Sequence, residues 1–322
     1  MKAIQLTATG NPQETLKLVE IPNPTAPGNQ EVIIRVEYSP VNFSDLMVAK
    51  GIYFIQPELP ATIGGEGVGI IEEVGPDVEN VKIRDRVIIP FGTYAWAELV
   101  KAPSKDLFPV SASADPKQLA MAGINPPTAV LLLNEFTSLE KGDWIVLNAG
   151  NSSVANTIIA VAKSRGIKTL AIVRRAEVVE IAQQAGADAV LVESASIAEE
   201  AKKVTDNANI KLGLDAVGGD SSAILAQILG VDSHLVAYAI LSGKPVVISQ
   251  VDLIVKRLKV HGFWMYLSEY LPKLNSAVRE SESLLAENAF NVPIAASYSL
   301  SSITEAVIHA QKGVKVLLDF TI

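Results

Sequence analysis

The sequence predicts an α/β protein in which an irregular β domain precedes a doubly wound parallel sheet. Three observations carry this. Strand-like runs broken by Pro and Gly fill the chain to about residue 120, and helix and strand patterns alternate from Asn125 onward. Between them, residues 144–175 read as a strand, turn, helix and second strand, the pattern of a nucleotide-binding βαβ unit. With 322 residues, 49% of them hydrophobic and 19% charged, the chain has material for two domains.

In order along the chain, residues 1–6 run into an apolar strand pattern, and further strands are expected over 31–36, 67–74, 86–89 and 97–100. Strands near 145–147, 169–173, 189–192, 212–216, 235–239 and 260–263, joined by helical crossovers, imply a six-stranded parallel sheet. A charged helix pattern over 271–287 leads to short extended pieces and to 313–318, a tail expected to return to the first domain. The domain expectation is 1–122 with 265–322, and 123–264. No internal repeat or low-complexity segment is evident.

Within the βαβ unit, Val154, Ile158 and Val161 recur at helical spacing, and Gly166 is placed to end that helix. A strand that turns sharply into a helix directs unpaired N–H groups and the positive dipole end at what lies above the turn, which suits a pyrophosphate. Gly150, Asn151, Ser152, Ser153 and Val154 form that turn and helix start. Arg174 and Arg175 stand about twenty positions on, where an acid would bond a ribose 2′-hydroxyl. A guanidinium there pairs with a 2′-phosphate, so the cofactor expected is NADPH. Ser153 and Ala155 stand where the fingerprint has glycines, and the turn alone is also consistent with a parallel-sheet turn that binds nothing.

There are no cysteines, which excludes disulfides, thiolate metal sites and a cysteine nucleophile. The three histidines, His234, His261 and His309, are in no metal-ligand spacing, so no metal is expected. A net charge of −8 argues against general nucleic-acid affinity. The cluster Lys256-Arg257-Leu258-Lys259 reads as a solvated helix end. No apolar run reaches membrane-spanning length, and residues 1–12 show neither a signal-peptide core nor an arginine-rich leader, so a soluble, cytoplasmic protein is expected.

A β domain, an inserted nucleotide-binding domain and a C-terminal return resemble the medium-chain dehydrogenase/reductase superfamily. The resemblance implies a GroES-like irregular β domain and a Rossmann domain. In zinc-dependent members a Cys and a His stand where Asn42 and Gly65 stand here, beside Glu66. Longer stretches resemble the mitochondrial-type trans-2-enoyl thioester reductases: Gly51-Ile52-Tyr53 before Pro57-Glu58-Leu59-Pro60-Ala61, and Gly123-Ile124-Asn125-Pro126-Pro127-Thr128-Ala129. The turn 148–155, Val173-Arg174, Val217-Gly218-Gly219 and Gly262-Phe263-Trp264 match in the same order. Departures are Ser153 and Ala155, Pro127 for a Cys, Val130-Leu131 for a Tyr-Arg pair, and Phe43 for a Pro.

What the resemblance implies is NADPH-dependent reduction of the double bond of a 2-enoyl thioester, carried by coenzyme A or acyl carrier protein. That chemistry needs hydride at the β-carbon, donors for the developing enolate oxygen and a proton for the α-carbon. In the resembling family a tyrosine faces the substrate carbonyl, so Tyr53, with an ordinary pKa of about 10, is the candidate donor; its bland alternative is a loop anchor. Asn42 and Thr128 are candidates for ordering nicotinamide or substrate, or simply satisfy a turn and a helix start. Tyr238, Phe263 and Trp264 are candidate lining of the cofactor cleft, with core aromatics as the alternative for the latter two. Lys315 is a candidate for the cofactor phosphates or a solvated lysine. Two other readings stay open: a zinc-free quinone or activated-alkene reductase, and a non-catalytic nucleotide-binding relative. A homodimer is expected, with the apolar segment 245–248 as its sheet edge.

Overall fold

The computed structural model describes residues 1–322, in two compact units: Met1–Ile124 with Ser281–Ile322, and Asn125–Glu280. The first unit begins with β1 (Lys2–Leu6), α1 (Pro12–Thr15), β2 (Leu16–Glu20), β3 (Glu31–Pro40), α2 (Phe43–Ala49) and β4 (Ala61–Thr62). It continues with β5 (Val68–Val74), β6 (Arg86–Ile88), β7 (Leu99–Pro103) and α3 (Pro116–Leu119). A small sheet runs β2-β1-β4, and β3 is the centre of a larger one, antiparallel to both β5 and β7. Val32, Ile34 and Val36 alternate onto one buried face, and Ile33 is buried on the other, so this central strand is covered on both sides at its start. The strand expected at 97–100 lies at Leu99–Pro103 instead. Its ladder partner sets the register, Glu31 opposite Pro103 and Arg35 opposite Leu99, and Ala97 keeps only an isolated bridge to Ala3.

The second unit carries α4 (Asn125–Asn134), β8 (Trp144–Leu147), α5 (Ser153–Ser164), β9 (Lys168–Val173), α6 (Val179–Gln184) and β10 (Ala189–Val192). It continues with α7 (Ile197–Val204), β11 (Leu212–Asp215), α8 (Asp220–Ile228), β12 (His234–Ala237), α9 (Gln250–Val255) and β13 (Lys259–Gly262); α10 (Leu271–Ala286) follows. The six strands form a wholly parallel sheet in the order β10-β9-β8-β11-β12-β13, so the order reverses between β8 and β11. Ligands of such sheets sit beyond the carboxyl ends of the strands at that switch point. Strand β8 is buried at all four residues, as a central parallel strand must be. Strand β11 stops at Asp215 because its carboxylate accepts the N–H groups of Val217 and Gly218, both at 2.9 Å.

The segment 245–248 is not a sheet edge. Val246 makes one parallel bridge to Gly219, and the edge strands are β10 and β13. The segment is drawn onto the Gly218-Gly219 turn, where a Cβ on Gly218 would lie 2.4 Å from the Lys244 carbonyl oxygen. Glycine is what permits that approach.

The chain returns to the first unit with β14 (Ile294–Tyr298), α11 (Ile303–Ala310) and β15 (Lys315–Asp319). Strand β15 pairs antiparallel with β3, Leu318 opposite Ser39, and parallel with β14. Its apolar side joins Ile4, Leu46, Trp96 and Val307 in one core, so both ends of the chain complete the same domain. Trp96 is fully buried, donating from its indole to the Pro40 carbonyl at 3.3 Å. Gly64, at φ +100°, makes room for it: a Cβ there would stand 2.2 Å from the indole ring.

Candidate active site

In the second unit the turn between β8 and α5 has the makings of an anion site. Ser152 caps α5, its hydroxyl accepting the Ala155 N–H at 3.2 Å, while Asn156 N–H bonds the Ser152 carbonyl at 2.9 Å. The N–H groups of Ser153 and Val154, first in a twelve-residue helix, have no intrahelical acceptor. Gly150 lets the turn lie on the neighbouring strand: its N–H bonds the Ile172 carbonyl at 3.0 Å, and a Cβ would be 2.9 Å from that of Ala171. Asn151 is exposed at the tip. Strand β9 therefore ends beside the turn, and Arg174 and Arg175 follow it, both exposed and without an acidic partner.

Below the turn, sequence reasoning missed a buried polar network. Asn148 donates to Asp215 at 2.6 Å and to Ser221 at 3.2 Å, while its carbonyl oxygen accepts the Ala216 N–H at 2.7 Å. Ser222 donates to the other Asp215 oxygen at 2.5 Å, and Ser221 to Glu193 at 3.1 Å. The signal in the sequence was an acid closing a strand before Gly218-Gly219. Tyr238 follows β12 with its N–H on the Asp215 carbonyl at 3.0 Å. Its ring is partly exposed, yet its hydroxyl is sealed and unpaired, and burial with the Asp215 charge holds the phenol well above its usual range. Phe263 is buried against Tyr270 and Phe136, with ring centroids 4.9 and 6.1 Å away, and Trp264 packs edge-on to Tyr266. Thr128, in α4, donates its hydroxyl to the Met265 sulfur at 3.2 Å.

In the first unit Asn42 and Lys315 come together, although they are distant in sequence. Asn42 is the N-cap of α2, and Asp45 reaches back to accept its N–H at 2.8 Å and that of Gly65 at 3.1 Å. The Asn42 side chain donates to Glu66 at 2.8 Å, and its carbonyl oxygen accepts from the Lys315 ammonium at 2.5 Å. The second Glu66 oxygen accepts the N–H groups of Gly123, at 3.0 Å, and Ile124, at 2.8 Å. Burial raises the Glu66 carboxyl to about 7 and that of Asp45 to about 6, and Lys315 opposes both shifts. Burial lowers the Lys315 ammonium while the two carboxylates support it. Lys315 is thus neither a solvated lysine nor one with a free head group. Tyr53 is half-buried on the loop after α2, stacked on Phe54 at 4.2 Å, and its carbonyl accepts from Gln56 at 2.9 Å. Phe43, Ile52 and Phe54, all more than half exposed, lie on or beside α2 and that loop.

Residues 28–112 match the alcohol dehydrogenase GroES-like domain and residues 153–280 the zinc-binding dehydrogenase family. The zinc in that description does not fit here. Asn42, Gly65 and Glu66 offer an amide, no side chain and a carboxylate, an ammonium stands 2.5 Å from the amide oxygen, and no three His, Cys, Asp or Glu residues gather as a metal site. A mitochondrial enoyl-acyl-carrier-protein reductase of Dictyostelium discoideum is 30% identical over 99% of this chain and 94% of its own length. One from Caenorhabditis elegans is 34% identical over 79% of this chain and 74% of its own. A mycobacterial quinone oxidoreductase structure aligns with TM-score 0.87 at 26% identity, covering 99% of each chain. The complex of Etr1p with NADP and crotonyl-CoA aligns with TM-score 0.86 and the same coverage at 23% identity, a likeness of fold. The relatives named mitochondrial overturn the expectation of a cytoplasmic protein. That expectation rested on the lack of a leader pattern, which is an address and no property of the folded domains. With two family models in order along the chain and a relative matched over nearly all of it, the chain belongs to the medium-chain dehydrogenase/reductase superfamily, in its enoyl-reductase-like branch, and is an oxidoreductase.

Proposed function

We propose that the protein reduces the carbon–carbon double bond of 2-enoyl thioesters with NADPH, without zinc. The observation that carries the cofactor reading is the pair Arg174 and Arg175, exposed and uncompensated at the end of β9 beside an open helix start. Ser153 and Val154 N–H groups would hold the pyrophosphate, and Arg174 and Arg175 the 2′-phosphate. When bound, the cofactor supplies a hydride for the β-carbon. Tyr53 donates its hydroxyl to the enolate oxygen and delivers the proton to the α-carbon, and the phenolate regains a proton from solvent. Asn42 and Thr128 order nicotinamide or substrate, and Tyr238, Phe263 and Trp264 line the cofactor side. The names of the relatives support an enoyl thioester on acyl carrier protein as substrate, with coenzyme A as the alternative carrier of the same thioester.

The competing reading is a quinone or activated-alkene reductase, supported by the quinone oxidoreductase likeness. Quinone reduction needs no proton donor at residue 53, because the product oxygens protonate from water. Rates of NADPH oxidation with crotonyl-coenzyme A and with a simple quinone separate the two. Faster thioester reduction is expected, and quinone reduction alone would reverse the assignment. No NADPH oxidation with any acceptor would leave a nucleotide-binding relative.

A second copy of the chain is proposed as partner. The edge strand β13 exposes Val260, and α9 beside it in sequence exposes Val251, Ile254 and Val255. An apolar, unpaired edge is an association site unless covered.

A further inference from the structure

We propose that Glu66 is a positioning residue: its carboxylate fixes the Asn42 amide with the carbonyl oxygen turned toward Lys315, and through that amide it seats the Lys315 ammonium. The inference rests on the proposed function, in which Asn42 orders nicotinamide or substrate, and on the expectation that Lys315 serves the cofactor phosphates. It goes beyond that reading by naming a residue that touches no ligand and governs two that do.

The argument is one of donors and acceptors. Three donors converge on Glu66, the Gly123 and Ile124 N–H groups on one oxygen and the Asn42 amide nitrogen on the other, so its partners favour the accept-only ionised form, which Lys315 also supports, against the burial that raises its carboxyl. Glu66 is 1% exposed, so water does not compete for these positions. Its own backbone is held by Ser39, which donates to the Glu66 carbonyl at 2.6 Å. An amide is planar with its oxygen opposite its NH₂ group. Once the NH₂ of Asn42 is committed to Glu66, its oxygen faces away, and there it accepts from Lys315. The flipped amide would set oxygen against carboxylate and NH₂ against ammonium, two repulsive contacts in a buried place. The pivot is fixed as well, because Asp45 holds the Asn42 N–H.

The backbone of Lys315 is fixed by pairing with Ile294 in β14, whereas its four-carbon stem is free to swing. Asn42 is the acceptor that ends the swing. Glu66 also accepts from the last two residues of the first unit before the chain passes to Asn125. Gly123 is what lets that segment close on it: a Cβ there would lie 3.2 Å from the Glu66 Cβ.

Glu66→Gln tests this. The introduced glutamine must turn its oxygen to the two backbone N–H groups and its NH₂ to residue 42, which flips the Asn42 amide and drives Lys315 away. The double variant N42D/E66Q restores the pattern at unchanged net charge. In it the amide at position 66 accepts the backbone N–H groups and donates to the new carboxylate at position 42, whose other oxygen takes the ammonium. Crystal structures should show Lys315 beyond hydrogen-bond distance of residue 42 in E66Q and back on it in N42D/E66Q. By equilibrium titration, E66Q and K315M should each weaken NADPH binding roughly tenfold, as loss of a charge-assisted hydrogen bond does. E66Q/K315M should be no weaker than K315M, because Glu66 acts through Lys315. Lys315 still on Asn42 in the E66Q structure, or losses that add, would overturn the inference. If E66Q does not fold, N42D/E66Q decides: Lys315 seated on the carboxylate at position 42 supports the proposal, and Lys315 elsewhere overturns it. If the unmodified protein binds no NADPH, the functional reading fails, and the crystal comparison still decides the role of Glu66.

Discussion

The polar groups of the two units are arranged in opposite ways. In the first unit Asn42, Asp45 and Glu66 are buried and Lys315 is half-buried, and they satisfy one another, every hydrogen bond closing within the cluster or on nearby backbone. In the second, the N–H groups of Ser153 and Val154 head a helix without intrahelical acceptors, and the guanidinium groups of Arg174 and Arg175 are exposed without an acidic side-chain partner. A closed cluster has its desolvation cost met by the fold, so it fixes geometry and responds to proton concentration. An open set is completed only by a ligand, so it responds to what is bound. On the proposed function, the closed cluster would position ligand groups and reach affinity only through Lys315, while the open set would supply affinity directly.

The sharpest test of that division is Tyr53, which stands near the closed cluster in sequence but on an exposed loop. Tyr53→Phe keeps the ring stacked on Phe54 and removes the hydroxyl. Enoyl-thioester turnover should fall by about a hundredfold or more, the usual size of a general-acid contribution. NADPH binding should hardly change, and any quinone reduction should persist. Parent-rate thioester reduction by the phenylalanine variant would remove Tyr53 from the mechanism.

Next in size is Arg174→Ala, which removes charge from the open set. NADPH affinity should drop roughly tenfold to a hundredfold, with NADH affinity little changed. Calorimetric titration that found equal affinity of the unmodified protein for both cofactors would break the assignment of the open arginines to a 2′-phosphate.

The open features were legible in the sequence because each is local. A strand, a small-residue turn, a helix start and two arginines follow one another within thirty-two residues, 144–175, and periodicity alone locates them. The closed cluster was half legible. Asn42 and Lys315 were singled out separately, but a pair 273 positions apart joins only when β15 lies beside β3. Glu66 was marked only by the resemblance, beside the replaced zinc-ligand positions, and neither its part in the cluster nor that of Asp45 was legible, since an acid in a sequence reads as a solvated side chain until the fold buries it. Tyr238 was named with the cofactor residues; that its hydroxyl is sealed and unpaired could not be read from its place in a strand. The expectation of a sheet edge at 245–248 failed for a related reason: the segment has strand composition, and the Gly218-Gly219 turn claims it.

A smaller effect is expected from the exposed apolar face of the second unit. Light scattering at micromolar concentration should give twice the chain mass. Val260→Lys with Ile254→Glu should lower it to one chain, because charge on an edge strand opposes pairing. A parent protein that is already monomeric would remove this face from the comparison.

The smallest effect should appear in stability against pH, where the closed cluster contributes a decline as pH rises and the His234–His261 pair of the second unit, held below the usual imidazole value by burial, contributes a rise. Burial raises the Glu66 carboxyl from its ordinary 4.5 to about 7, and that of Asp45 from 3.8 to about 6. A folded state that holds protons more tightly than the unfolded chain gains stability where those protons are bound. That gain is fully present below the ordinary values and is lost as pH rises through about 6 and then about 7. The melting midpoint should therefore decline by roughly a few degrees from this source between about pH 5 and about pH 8. Asp45→Asn should remove the lower part of the slope and Glu66→Gln the upper, whatever either does to the midpoint itself. Arg174→Ala, on an exposed group in the open set, should leave the slope as it is. A decline with rising pH that survives both carboxyl substitutions would mean that the closed cluster does not take up protons on folding, because His234 and His261 contribute only a rise over the same range.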